Sequence, residues 1–462
     1  MQTQLAPEFK GTRDGDEAEA ILRKCVHCGF CTATCPTYQL LGDELDGPRG
    51  RIYLMKQALE GAPVTRSTQL HLDRCLTCRN CESTCPSGVD YGNLVDIGRK
   101  IVDARVERPA GEKTLRWLLR EGLTSPLFAP AMKLGQLVRP LLPKSLANKV
   151  PAQAPSRAHA WPTATHPRKV LLLAGCVQPS MMPNINSATA RVLDAAGIET
   201  LLAHDAGCCG AIRMHLSDHA GGQDDMRRNI DAWWPTIAAG GVEAIVMNAS
   251  GCGVTVKGYG HALADDPAYA EKARLVSELT RDLSELLPDL VDALGGRLGI
   301  RSVDNQVSQG PAQSDAEIVA NAVDANLKAK PPGPVGTAAA TPAGAASLAG
   351  PPRGKLRLAF HPPCTLQHGQ QLRGGVETHL RQLGFDVQIA LNESHLCCGS
   401  AGTYSVLQPQ FAYPLRDRKL ANLAPLGADV IVSANIGCIQ HLQSGTATPV
   451  RHWVEVLDDA LA

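Results

Sequence analysis

Cys25-Val26-His27-Cys28-Gly29-Phe30-Cys31-Thr32-Ala33-Thr34-Cys35-Pro36 is the stretch on which the reading of this chain turns. Its spacing is C-x2-C-x2-C-x3-C-P, and the same pattern returns as Cys75, Cys78, Cys81, Cys85 and Pro86. Three thiolates two residues apart can wrap one iron–sulfur cube from a short loop. The fourth lies too far along to close that cube and reaches a neighbouring one. Two runs therefore predict two 4Fe–4S clusters with exchanged ligands: Cys25, Cys28 and Cys31 with Cys85, and Cys75, Cys78 and Cys81 with Cys35. The proline after each fourth cysteine turns the chain away from the cluster. Structural zinc is the competing reading, but zinc sites usually pair two separated C-x2-C knuckles.

Composition narrows the function classes. The chain has 462 residues, room for about three domains. Lys plus Arg equals Asp plus Glu at 45 each, so the basic footprint of a nucleic-acid binder is missing. Met1 to Ala20 is polar and acidic, without the apolar core of a secretory signal, and a cytoplasmic location is expected. In that setting sixteen clustered cysteines read as metal or redox ligands rather than disulfides. No run of eighteen apolar residues marks a membrane span.

Around the two runs, residues 1–110 read as a helical module. Asp16 to Lys24 leads into the first run, Ile52 to Glu60 follows a break at Gly47 to Arg51, and Asn93 to Val106 is amphipathic. Arg49, Arg51 and Arg79 are candidates to offset cluster charge, with solvated surface arginines as the plain alternative. Residues 111–167 form an apolar, basic, proline-broken segment and a linker. That segment suits either an anionic membrane surface or packing on its own domain.

From residue 168 the pattern changes to strand–helix–strand units that repeat. Lys169 to Cys176, Ile198 to Ala203 and Glu243 to Asn248 read as strands, with Asn186 to Ala196 as a helix. The second copy runs through Leu356 to Phe360, Phe385 to Ala390 and Asp429 to Ser433, with Gly375 to Leu383 as its helix. Each copy carries four thiols just past its strands: Cys176, Cys208, Cys209 and Cys252, then Cys364, Cys397, Cys398 and Cys438. Two pseudo-symmetric α/β halves follow, residues 168–294 and 355–462, each a parallel sheet with its site at the carboxyl edge. An adjacent cysteine pair can face one site only in a tight turn, for which Gly207 and Gly210 are suited. An iron–sulfur cluster, zinc, and thiol–disulfide chemistry all satisfy these residues. Lys272 to Leu294 reads as polar helix. The intervening 295–354 is a low-complexity insertion; within Pro331 to Arg353, Ala, Gly and Pro supply 17 of 23 residues, too few apolar groups for a core.

The whole pattern resembles the iron–sulfur subunits of bacterial glycolate oxidase (glycolate dehydrogenase). It does so through CVHCGFCTATCPTYQLLGDELDGPRGRIY, DRCLTCRNCESTCPSGV, AGCCGA, NIDAWWP, SGCG, FHPPCTLQH, SHLCCGSAGTY and RHW. Related subunits of lactate and glycerol-3-phosphate dehydrogenase systems share the runs and the CCG repeats. The resemblance implies an α+β multidomain fold and an electron-transfer role. An FAD subunit would oxidise glycolate to glyoxylate, with a second flavin-type subunit alongside, and this chain would pass electrons toward a quinone at the membrane. No G-x-G-x-x-G follows a strand, so no nucleotide site of its own is expected. The alternatives are the same role in a lactate or glycerol-3-phosphate system, a zinc-stabilised scaffold, or a disulfide reductase acting at the CC pairs. The halves also resemble the heterodisulfide reductase subunit, whose motif ends in C-x-x-C; Thr255 and His441 stand at those closing positions here.

Overall fold

The computed structural model describes residues 1–125, 127–141, 150, 159–299 and 356–462, so the 295–354 insertion lies almost wholly outside the described residues. The N-terminal module is all helix. Arg13–Lys24 starts where the Thr12 hydroxyl accepts the Gly15 N–H, carries Asp14 and Asp16 in its first turn and ends on Arg23 and Lys24, matching the helix dipole at both ends. Its Ala18, Ile21 and Leu22 face Met55, Ala58 and Leu59 of Pro48–Leu59 and Leu94, Val95 and Ile101 of Tyr91–Arg105, all buried in one core.

The two cysteine runs hang from this core with the same backbone. Each follows a helix, Arg13–Lys24 or Arg66–Asp73, and passes through one short helix, Phe30–Ala33 or Asn80–Ser83. Each also bends through two left-handed residues at matching places: His27 (φ 58°) and Gly29 (φ 87°), then Thr77 (φ 52°) and Arg79 (φ 57°). That conformation costs non-glycine residues free energy, so its repetition at His27, Thr77 and Arg79 marks a loop shaped for what it encloses.

The two α/β halves each hold a four-stranded parallel sheet. In the first, β1 (Arg168–Leu172), β2 (Ile198–Leu202), β3 (Ala244–Met247) and β4 (Thr280–Asp282) lie in the order β2-β1-β3-β4. In the second, β5 (Arg357–Phe360), β6 (Asp386–Ile389), β7 (Val430–Ser433) and β8 (Val450–His452) repeat it as β6-β5-β7-β8. The central strands β1, β3, β5 and β7 are short apolar runs covered on both faces, as parallel sheets require.

The helix expected across Lys272 to Leu294 is interrupted. Ala270–Leu279 ends, β4 intervenes, and Leu287–Leu294 begins again. The reason lies at the strand end, where Asp282 and Glu285 form a reciprocal capping box. The second half does the same with His452 and Glu455 after β8. The repeat therefore extends further than its cysteines.

The closing helices are also exchanged. Trp453–Leu461 of the second half packs on Asn184–Ala195 of the first, and Leu287–Leu294 of the first packs on Gly375–Gln382 of the second. One core consequently draws on both halves, from Val170, Ile185 and Leu290 to Phe360, Leu380 and Trp453. Arg191 pairs with Asp458, and the His452 Nε2–H donates to the Asn248 carbonyl at 2.9 Å, across that junction.

Ala110–Thr124 and Phe128–Val138 form the segment after the helical module, and neither has a buried residue. Trp117, Leu118, Leu127, Leu134, Leu137 and Leu141 are exposed. Among the described residues no helix is long and apolar enough to cross a membrane.

Candidate metal centres

All sixteen cysteines are free of disulfides. The N-terminal eight border two neighbouring cavities. One is lined by Cys25, Cys28, Cys31, Cys81 and Cys85, with Gly29, Arg49 and Pro86. The other is lined by Cys35, Cys75, Cys78 and Cys81, with Arg51, Arg79 and Tyr91. Cys85 thus lies with the first run's leading three cysteines and Cys35 with the second run's, while Cys81 borders both. The Tyr91 hydroxyl donates to the Cys75 sulfur at 3.7 Å, and the Cys35 and Thr37 side chains meet at 3.3 Å.

Each α/β half gathers its four thiols past the carboxyl ends of the strands. Cys176 follows β1, Cys208 and Cys209 follow β2, and Cys252 sits in Ser250–Lys257 after β3. Their side chains connect in the order Cys176, Cys208, Cys209, Cys252. The second half repeats the chain as Cys364, Cys397, Cys398, Cys438, with Cys364 and Cys397 sulfurs 3.8 Å apart. Of the two glycines before and after the first pair, only Gly210 makes the turn, at φ 92°; Gly207 has an ordinary backbone and lies against the Arg228 guanidinium. Gly399 is the counterpart of Gly210, at φ 89°, and a Cβ there would stand 2.3 Å from the Ala412 carbonyl oxygen. Conformation and contact both demand glycine after the pair. Thiols of both halves line one open groove of about 2040 Å³, together with Cys75, Cys78 and the apolar Leu119, Leu123, Phe128 and Met132.

The sequence matches two family models: a 4Fe-4S dicluster domain over residues 21–89 and a cysteine-rich domain over residues 170–257 and again over 358–443. It is 49% identical over 462 residues to the glycolate oxidase iron-sulfur subunit of Escherichia coli K12, covering 100% of this chain and 99% of that one. The chain belongs to the glycolate oxidase iron–sulfur subunit family. A probable member from Bacillus subtilis 168 is 27% identical, covering 96% of this chain and 92% of its own length. Lactate utilization protein A of the same organism is 22% identical over 63% of this chain and 99% of its own.

The electrostatics of the family's two domain types say what these thiols need. Burial pushes the Cys31 thiol up to about 12, with Cys25, Cys85, Cys35 and Cys28 adding to the rise. Cys78 and Cys81 are raised well above the ordinary thiol range by burial and neighbouring thiols. In the first half Cys208 is held down to about 3 because Cys176 and Cys209 donate to its sulfur, and both donors are raised in turn. Burial and mutual repulsion thus oppose several thiolates side by side, and four together call for a cation. That is the chemistry of an iron–sulfur or zinc centre, and the donor sets fit it.

Of the arginines singled out by sequence, each lines a cavity. Arg49 borders the first and pairs with Glu44 at 2.6 Å. Arg79 borders the second, its guanidinium against Gly92. Arg51 is 1% exposed; burial opposes its charge, but Cys75, Tyr91, Cys35 and Asp46 raise its pKa regardless. Its guanidinium donates to the His71 carbonyl at 2.7 Å and the Thr37 hydroxyl at 3.1 Å, so it is a fixed internal cation beside the second cavity rather than a solvated group.

The second run is also where the helical module meets the second half. Leu76 and Cys78 pack with Cys364, Cys397, Tyr404, Ala412 and Leu415. The Asn80 amide bridges the Thr34 and His395 carbonyls at 3.1 and 3.3 Å, Ser83 meets His368 Nδ1 at 2.9 Å, and the Tyr404 hydroxyl donates to the Arg74 carbonyl at 3.0 Å.

The His441 Nε2 meets the Ala412 carbonyl at 3.1 Å and its ring stacks on Tyr413. Thr255 donates to the Gly251 carbonyl at 3.0 Å. Sequence reasoning missed His361, which directly follows β5 and is 1% exposed. Its ring lies with the Cys398 and Cys438 sulfurs, the three donor atoms all within 4.8 Å of one another. The signal was present in His361-Pro362-Pro363-Cys364, but the first half offers no parallel, since Leu173 holds that place before Cys176.

Proposed function

We propose that this chain is the electron-transfer subunit of a flavin-dependent glycolate dehydrogenase complex. An FAD-binding partner takes two electrons from glycolate, giving glyoxylate, and a second flavin-type subunit completes the assembly. This chain carries the electrons one at a time toward a quinone, which takes up two electrons and two protons. Two 4Fe–4S clusters supply the one-electron couples when bound. Cys25, Cys28, Cys31 and Cys85 hold the first, and Cys75, Cys78, Cys81 and Cys35 the second.

The protein's own part is positioning and charge. Arg51, buried and hydrogen-bonded at three points, offsets negative charge beside the second site. Tyr91 donates to Cys75, and donors of this kind favour the reduced state. The observation that carries the reading is the packing of Cys78 with Cys364 and Cys397, which continues the row of thiols from the helical module into the second α/β half. The groove beside those thiols has apolar walls, the kind of site that takes a quinone ring. The exposed apolar face of Ala110–Thr124 and Phe128–Val138 supports peripheral attachment at the cytoplasmic face of the membrane.

Iron, zinc and acid-labile sulfide content of the anaerobically purified complex tests this. About eight irons and eight sulfides from the N-terminal module are expected. Cys85→Ser should alter the same EPR signal as Cys28→Ser, and Cys35→Ser the same signal as Cys78→Ser. Stoichiometric zinc without sulfide would overturn the proposal.

A further inference from the structure

The second α/β half contains a donor that the first does not. His361 sits at the carboxyl end of β5, its N–H already committed to the Val432 carbonyl at 2.8 Å, so the backbone fixes where the imidazole starts. Neither Nδ1 nor Nε2 has a hydrogen-bond partner, and among the described residues it is the only histidine with both ring nitrogens buried and unpaired. Buried imidazoles ordinarily satisfy at least one nitrogen. His452 and His368 in the same half do so against the Asn248 and His395 carbonyls. The His361 ring instead shares a 4.8 Å circle with the sulfurs of Cys398 and Cys438. Donors spaced about 3.5–4 Å apart surround a single tetrahedral ion, since metal–sulfur and metal–nitrogen bonds are about 2.3 and 2.0–2.1 Å.

We infer that His361 is a metal ligand, binding through a ring nitrogen together with Cys398 and Cys438, and that the second half carries a mixed thiolate–imidazole centre while the first, with Leu173 in that place, is all thiolate. This deepens the reading above and rests on the second half being loaded with metal. The ligand class is a borderline-soft transition metal, either one zinc ion or an iron of a cluster, because thiolate and imidazole together suit both. His441 is not the substitute for the missing closing cysteine; its Nε2 is engaged with Ala412, and the fifth donor comes from the residue that follows β5.

The test uses the full complex, purified anaerobically, with zinc and iron counted first. Should zinc be present, X-ray absorption at the zinc edge should show sulfur and nitrogen together in the first shell. Should only iron be present, pulsed EPR of the reduced complex should show imidazole nitrogen coupling. His361→Leu copies the residue of the first half and keeps the core apolar; it should remove that nitrogen signature and lower occupancy of the second half several-fold. The N-terminal cluster signals should remain unchanged. His361→Cys should restore the metal with an all-sulfur shell, which separates ligand loss from misfolding. An all-sulfur shell in the wild type, or a nitrogen signature that survives His361→Leu, would overturn the inference. Metal missing from both halves of the wild type, with the N-terminal clusters intact, would overturn it too and leave the N-terminal reading standing.

Discussion

The two α/β halves share strand order, thiol connectivity and a capped helix after the fourth strand, yet they are placed differently. The second abuts the helical module through Cys78, Leu76 and Asn80, buries Lys419 beside its thiols and adds His361 to them. The first meets the module through surface contacts such as Arg13 with Asp265 and His261 with Glu17, and its cysteine pair is backed by Asn229, whose amide donates to the Cys208 carbonyl at 2.8 Å. A duplicated fold can therefore hold two sites of equal thiol count but unequal surroundings. One packs against Leu76 and Cys78 of the second cysteine run; the other lines the shared groove.

That difference should be visible in mutants. Cys364→Ser is expected to lower glycolate-dependent quinone reduction by about 100-fold or more, as loss of a ligand beside the handover point would. Cys176→Ser should cost clearly less. Dye reduction at the flavin partner should persist in both. Steady-state rates with quinone and with dye check this, and equal losses would erase the asymmetry.

A smaller effect concerns the turn after each cysteine pair. Gly399→Ala forces a side chain into left-handed backbone and against the Ala412 carbonyl, and should cost about 2–4 kcal/mol. Gly210→Ala meets the Gly222 carbonyl at a looser 2.8 Å and should cost less. Thermal unfolding of the two variants gives the ranking.

The smallest expected effect separates the two capping boxes. Burial holds the His452 pKa down to about 3, although its bond to the Asn248 carbonyl opposes this. The unfolded chain then takes up the proton first. The associated stability is complete above about pH 6.5 and declines as pH falls toward 3. Its counterpart Asp282 is raised by burial, so its contribution has the opposite sign: it is complete below the unfolded carboxyl value and lost as pH rises past it. Melting should fall between pH 7 and 5 in the wild type and fall less steeply in His452→Gln, the buried His361, His368 and His395 supplying the remaining slope. A variant that keeps the full slope would remove His452 as the cause.

Much of this was legible in the residues because the signals were local. Cysteine spacing announced the N-terminal sites, and the apolar runs after Arg168 and Arg357 announced β1 and β5. What escaped reading depended on long-range pairing. β4 and β8 have three residues each, too short for periodicity to register, and exist because neighbouring strands receive them. The exchange of closing helices is invisible in either half alone. His361 was passed over because a repeat directs attention to what matches, and its match is a leucine.

In the proposed complex, charge from the partner flavin passes through the N-terminal thiol-bound sites on its way to the acceptor. Freeze-quenched low-temperature EPR of the anaerobic complex after mixing with glycolate tests it most directly. Reduced iron–sulfur signals should appear no later than quinol, and Cys78→Ser should abolish quinol formation. Quinol accumulating at the full rate while the clusters stay oxidised would contradict it.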